Sequence, residues 1–198
     1  MYANEGNANG KMLWKTVLKR AVDLINARAN SVIMARKTIV GVMGPGDGAT
    51  DSDSWNAQEI GKLIAEKGWI LLTGGTNAGV MDAANCGAKQ AGGLTIGIMP
   101  TSDPSKISEF VDIPIITDMK SARNNINALS SDVVVACGIG AGTASEIALA
   151  IKAGKNVILL NDDGDCKKFF LKIGKGKVQV AENPEEAIEM AGKIIGEK

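Results

Sequence analysis

The stretch Trp69-Ile70-Leu71-Leu72-Thr73-Gly74-Gly75-Thr76-Asn77-Ala78-Gly79 decides the fold. Its apolar run reads as a buried strand, its glycines as a turn nearly free of side chains, and the residues beyond as a helix. A second stretch repeats the order, with Val133-Val134-Val135-Ala136 running into Gly138-Ile139-Gly140-Ala141-Gly142-Thr143. A strand, a bare turn and a helix N-terminus present free backbone N–H groups and a partial positive charge, the arrangement that holds phosphate. Two such turns in one small protein point to a nucleotide or a phosphorylated cofactor.

The same alternation extends outward from both stretches. Residues 38–43 form an apolar, β-branched strand that ends in Gly44-Pro45-Gly46. A polar loop over 47–53 leads to Ser54, expected as the cap of a helix reaching about residue 67. Strands are expected at 69–72, 94–99, 131–136, 156–160 and 178–180. A short, partly paired strand is expected at 113–116, because Pro114 interrupts it. Helices are expected at 79–91, at 119–129 with Asp118 as cap, and at 141–153. The last helix opens at Asn183-Pro184-Glu185-Glu186 with a cap, an early proline and first-turn acids. The strands are continuous apolar runs rather than alternating ones, which marks a sheet covered on both faces. The expected fold is therefore α/β, a doubly wound, mostly parallel Rossmann-like sheet with helices on both faces. The three glycine turns then share the edge formed by strand C-termini, where such sheets bind ligands.

Composition narrows the partners. The 198 residues, 45% of them hydrophobic, suffice for one domain over 11–198, preceded by a polar, disordered tail over 1–10. Within 11–30, Met12, Leu13, Val17, Leu18, Ala21, Val22, Leu24 and Ile25 recur at helical spacing. They predict an added amphipathic N-terminal helix that packs on the domain or across a subunit interface. Lys+Arg and Asp+Glu stand at 22 each, so neither nucleic acid nor an anionic membrane is an expected partner. With no histidine, Ser-His-Asp and Cys-His nucleophiles and histidine metal sites are excluded. Cys86, Cys137 and Cys166 are few and far apart, so no zinc site or disulfide framework is expected, and Cys137 reads as a small buried hydrophobe. No run approaches the ~20 apolar residues of a membrane span. The N-terminus lacks the order of a signal peptide, so a cytoplasmic location is expected.

Three constellations carry the candidate chemistry. Gly44-Pro45-Gly46 lets backbone approach a ligand. It does not open a dinucleotide fingerprint, because no acidic ribose partner lies near the end of the 69–73 strand. Around Gly74 and Gly75, Thr76 and Asn77 can cap the helix that starts near Gly79 or donate to phosphate. Asp82 either favours the helix dipole or contacts ligand, with Met81 beside it. After Gly140 and Gly142, Thr143 and Ser145 can donate to phosphate, and Glu146 lies one turn on, over the same pocket. A carboxylate there needs a partner, and Arg123 is the expected one, either as a structural pair or as site machinery. Amides of both loop-to-helix junctions are expected to converge on a common anion.

These motifs together resemble one superfamily. They are Gly74-Gly75 through Val80-Met81-Asp82-Ala83-Ala84, Gly87-Ala88-Lys89-Gln90-Ala91-Gly92-Gly93, Ile96-Gly97-Ile98-Met99-Pro100, Arg123-Asn124 and Gly142-Thr143-Ala144-Ser145-Glu146-Ile147-Ala148. It contains the molybdenum cofactor carrier proteins and the cytokinin-activating phosphoribohydrolases, long mislabelled "possible lysine decarboxylases". No pyridoxal-phosphate lysine is identifiable, so decarboxylation is set aside. The phosphoribohydrolases are similar in Gly140, Gly142, Thr143 and Glu146. Gly138 and Ile139, however, stand where they carry Pro and Gly, Asn124 stands where they carry Lys, and the spacing from Met119 to Arg123 is one residue longer. The Arg-Asn pair and the Gly-Thr-x-Ser-Glu-Ile-Ala stretch are more similar to the carrier branch. That branch implies binding of molybdenum cofactor (molybdopterin) without turnover, often by a homo-oligomer, a dimer or tetramer. The alternative is hydrolysis of the N-glycosidic bond of a nucleoside 5′-monophosphate, with Glu146 and Arg123 as catalytic residues and free base and ribose 5-phosphate as products. A sensor or scaffold with a degenerate pocket is the third reading.

Overall fold

Five consecutive buried residues of β5 (Val133–Cys137) divide their side chains between two layers. Val133, Val135 and Cys137 enter one core cluster, Val134 and Ala136 the other. This is why the run is apolar without alternation. In the computed structural model, which describes residues 15–22, 36–160 and 163–196, β5 lies beside β1 (Ile39–Met43) near the middle of a seven-stranded sheet. The other strands are β2 (Ile70–Thr73), β3 (Leu94–Met99), β4 (Ile113–Ile116), β6 (Asn156–Leu160) and β7 (Val178–Val180). Every pairing is parallel and the order is β4-β3-β2-β1-β5-β6-β7. The chain winds outward from β1 to β4, returns to β5 beside β1, and winds outward the other way. The strand order therefore reverses between β1 and β5.

Helices cover both faces. On one lie α1 (Asp51–Glu66), α2 (Gly79–Gln90) and α6 (Pro184–Ile195), which contribute Ile60, Ile64, Ala84, Ala88 and Ile188 to the first cluster. On the other lie α3 (Asn124–Ser130), α4 (Ala141–Lys152) and α5 (Gly164–Gly174), with Ala128, Ile147, Ala150 and Phe170 in the second. Residues 15–22 belong to a separate unit, Met1–Lys37, and are helical with Val17, Leu18 and Val22 exposed. The expected tail over 1–10 and most of the 11–30 helix lie outside the described residues.

Four local expectations are corrected. Helix α1 starts before Ser54. Thr50 caps it, accepting from the Asp53 amide at 3.1 Å while the Asp53 carboxylate accepts from the Thr50 amide at 3.0 Å. That reciprocal box recruits residues 51–53 into the helix. Strand β4 pairs along its whole length despite Pro114, because it is an edge strand with β3 on one side only. Asp118 is not a cap. It is left-handed, with φ 52°, and the chain makes a 3₁₀ turn over Lys120–Arg123 before α3 begins. Helix α5 was not expected at all. Asp163 caps it through the Asp165 and Cys166 amides.

Helices α1 and α2 approach closely through glycines. A Cβ on Gly61 would collide with the Ala84 carbonyl oxygen, and one on Gly87 with the Gln58 carbonyl oxygen. Neither backbone can yield without moving a helix. Gly61→Ala and Gly87→Ala should each destabilise the protein by about 1–3 kcal/mol, the usual cost of overpacking. Urea unfolding reads this directly, and wild-type midpoints would show the two helices to be further apart.

Candidate functional site

Parallel strands end on one edge, so the turns after β1, β2 and β5 meet there. Between the C-termini of β1 and β5, where the strand order reverses, lies a cleft of ≈ 690 Å³. Gly44, Pro45 and Gly46 form one side, and Gly140, Gly142, Thr143 and Glu146 the other. Met81, Arg123 and Asn124 complete the set of sequence-expected residues that line it. Pro100, Thr101, Asp118, Lys120 and Ser121 also line it. Pro100 ends one of the quoted motifs and Asp118 was expected only as a helix cap, while Thr101, Lys120 and Ser121 carry no sequence signal; all five sit in the segments after β3 and β4. Asp118 and Lys120 are both left-handed there, with φ 52° and 49°, a conformation uncommon for non-glycine residues.

The two loop-to-helix junctions differ. At α4 the first intrahelical donor is the Ala144 amide, 2.8 Å from the Gly140 carbonyl oxygen, and no side chain caps the helix. Ala141, Gly142 and Thr143, whose amides precede that of Ala144 and lack intrahelical partners, all line the cleft. Thr143 is 2% exposed, lines the cleft, and its hydroxyl has no hydrogen-bond partner. At α2, by contrast, the protein answers its own amides. Val80 donates to the Pro45 carbonyl oxygen at 3.0 Å, Gly75 to the Thr73 hydroxyl at 3.0 Å, and Asn77 to the Lys106 carbonyl oxygen at 3.0 Å. Gly79, left-handed at φ 51°, presses against the Pro45 and Gly46 carbonyls with no room for a Cβ. Thr76 and Asn77 line a second, smaller cavity, while Gly74, Gly75, Gly79, Asp82 and Ser145 line neither.

Polar rungs join α3 to α4 beneath the cleft. Asn124 Nδ2 donates to Ser145 Oγ at 2.6 Å, and Ser145 Oγ donates to the Gly142 carbonyl oxygen at 2.7 Å. Asn127 Nδ2 donates to Glu146 Oε1 at 2.7 Å. Asn127 was missed in the sequence, although its i+3 spacing from Asn124 puts both on one helix face. Arg123 Nη1 donates to the carbonyl oxygens of Gly74 at 2.8 Å and Ile98 at 2.7 Å, tying together the segments at the ends of β2 and β3. Its Nη2 also lies 4.0 Å from the Met81 sulfur, so its direct hydrogen-bond partners are all uncharged, and Glu146 acts on it through space. Cys137 is fully buried and its thiol is pushed up to about 12 by burial, with Asp53 adding to the shift. Buried and held in the thiol form, it serves as a packing residue.

Residues 37–188 match the model of the SLOG cluster4 family, and the chain belongs to it. The molybdenum cofactor binding protein of the phototrophic bacterium Rippkaea orientalis is 55% identical, with a TM-score of 0.80 over 81% of this chain and 99% of that one. The Moco carrier protein of Chlamydomonas reinhardtii is 51% identical, with a TM-score of 0.78 over 82% of this chain and 100% of that one. A cytokinin riboside 5′-monophosphate phosphoribohydrolase of Mycobacterium tuberculosis is 32% identical over 93 residues, 46% of this chain and 50% of that protein. The superfamily resemblance carried by the motifs holds, and the likeness is nearer to the carrier proteins.

Glu146 gives the site a measurable signature. Burial raises its carboxyl pKa, against the Asn127 hydrogen bond and the Arg123 charge, which lower it. A raised folded-state value makes this group's contribution to stability complete below its unfolded value of about 4.3. That contribution is lost as pH rises through the folded value. Glu146→Gln keeps an acceptor for Asn127 and removes the buried charge. The variant should be more stable than wild type at pH 7 in urea unfolding, with the gap closing on acidification to about pH 4. A gap that does not change with pH would count against a desolvated carboxylate.

Proposed function

We propose that the protein is a molybdenum cofactor carrier. It holds the phosphorylated pterin in the cleft at the strand-order reversal and shields it without turnover. The observation that carries this reading is the buried, unpartnered Thr143 hydroxyl beside the uncapped N-terminus of α4. A buried hydroxyl without a partner costs about 1–3 kcal/mol. A phosphate oxygen at this position would satisfy it, together with the amides ahead of Ala144. Arg123, whose hydrogen-bond partners are uncharged, and Lys120 at the rim supply positive charge. The cleft volume falls within the range of small-molecule sites. The names of the two structural neighbours support the choice of ligand. The same reading includes self-association. Edge strand β4 leaves Ile113, Ile115 and Ile116 at 43%, 44% and 48% exposed, an apolar strip suited to a second copy.

Titration of the purified protein with molybdenum cofactor should show tight binding and slower loss of the cofactor in air. Thr143→Val should separate binding from folding. It removes the unsatisfied hydroxyl, so the apo protein should hold or gain up to about 1–3 kcal/mol, while cofactor affinity falls about tenfold, a loss of about 1.4 kcal/mol. Unchanged affinity would remove the phosphate from this position. Incubation with AMP should release no free base. Release that Glu146→Gln abolishes would replace the carrier reading with the hydrolase one. Sedimentation should show a dimer or larger assembly.

A further inference from the structure

A second cavity, a lobe of ≈ 330 Å³ on the α2 side, adjoins the cleft, and Gly46, Met81, Pro100 and Thr101 line both. Two opposite charges line this lobe, Asp47 and Lys106. Both residues are exposed, and neither takes part in an ion pair among the described residues. The backbones that carry them are fixed. Asp47 sits in a turn closed by the Ala49 amide on the Gly46 carbonyl oxygen at 3.0 Å. The carbonyl oxygens of Ser105 and Lys106 accept from the Asn77 side chain at 3.1 Å and the Asn77 amide at 3.0 Å.

The charge pattern selects the ligand chemistry. A second phosphate is disfavoured by Asp47, and a cationic group by Lys106. A neutral ring edge that donates at one end and accepts at the other suits both. The 2-amino-4-oxopyrimidine edge has that form. Its amino and ring N–H groups donate side by side to a carboxylate, and its oxo group accepts from an ammonium. The edge is common to pterin and guanine and absent from adenine. Met81 and Pro100, which line both cavities, offer apolar surface suited to the flat ring that such an edge belongs to. The geometry points to the Asp47–Lys106 lobe as the subsite that reads this edge while the α4 N-terminus holds the phosphate. The inference rests on the carrier reading of the cleft.

The test is calorimetric titration of the full chain with neopterin monophosphate, GMP, IMP, AMP and inorganic phosphate. Neopterin monophosphate or GMP, or both, should bind at least tenfold more tightly than AMP, and also more tightly than IMP, which lacks the 2-amino group. Which of the first two is tighter assigns the edge to a pterin or a purine. Asp47→Asn should abolish the preference and leave AMP and inorganic phosphate binding unchanged. Lys106→Met should weaken it in the same selective way. If all four organic phosphates bind alike, or the preference survives Asp47→Asn, the subsite is refuted while the phosphate reading stands. If none of the five binds, both fall.

Discussion

At the centre of the sheet, β1 and β5 share one set of backbone hydrogen bonds, yet the chain leaves them in opposite directions. Val40 to Met43 pair in parallel with Val133 to Ala136. The connection from β1 crosses one face and that from β5 crosses the other, so no crossover covers the gap between their C-terminal ends. The cleft is a consequence of this topology. The glycines after each strand keep the gap open by removing the side chains that would fill it.

The electrostatics of the cleft follow from how little of its charge is neutralised by contact. Arg123 donates to the carbonyl oxygens of Gly74 and Ile98 and to the Met81 sulfur, and Glu146 accepts from Asn127. Burial works against the charged form of both groups. An anion near Arg123 and the α4 N-terminus would favour the guanidinium charge, and a donor near Glu146 would favour the carboxylate. A ligand carrying both an anionic group and N–H donors matches what the two residues lack. This connects the desolvated pair to the class of molecule proposed.

What could be read from the sequence was whatever local physics makes obligatory. The runs at 69–72 and 133–136 are apolar at every position because β2 and β5 are covered on both faces, so strands and parallel class were legible. Gly44, Gly140 and Gly142 were legible because a bare turn after a strand has few other uses. Helix α5 was not. Its apolar residues Cys166, Phe169, Phe170 and Ile173 do recur at helical spacing, yet only Phe170 and Gly174 are buried, so that spacing does not mark a core-facing stripe. The distinction between the two junctions was equally hidden. The carbonyls that occupy the α2 side come from Pro45 and Lys106, far off in sequence, and only the tertiary fold brings them there. Asp118 and Lys120 reach the cleft through backbone angles that their residue types do not announce.

The notch between α1 and α2 has a consequence for how the cleft can move. Gly61 and Gly87 bring carbonyl groups of the facing helices into direct backbone contact, and both helices begin beside the cleft. The opposite side is joined by side-chain hydrogen bonds, Asn124 to Ser145 and Asn127 to Glu146. Backbone wedged against backbone cannot slide without a clash, whereas side-chain rungs can re-form at a new register. Any change in the width of the cleft would therefore meet more resistance at the α1–α2 notch than at the rungs between α3 and α4.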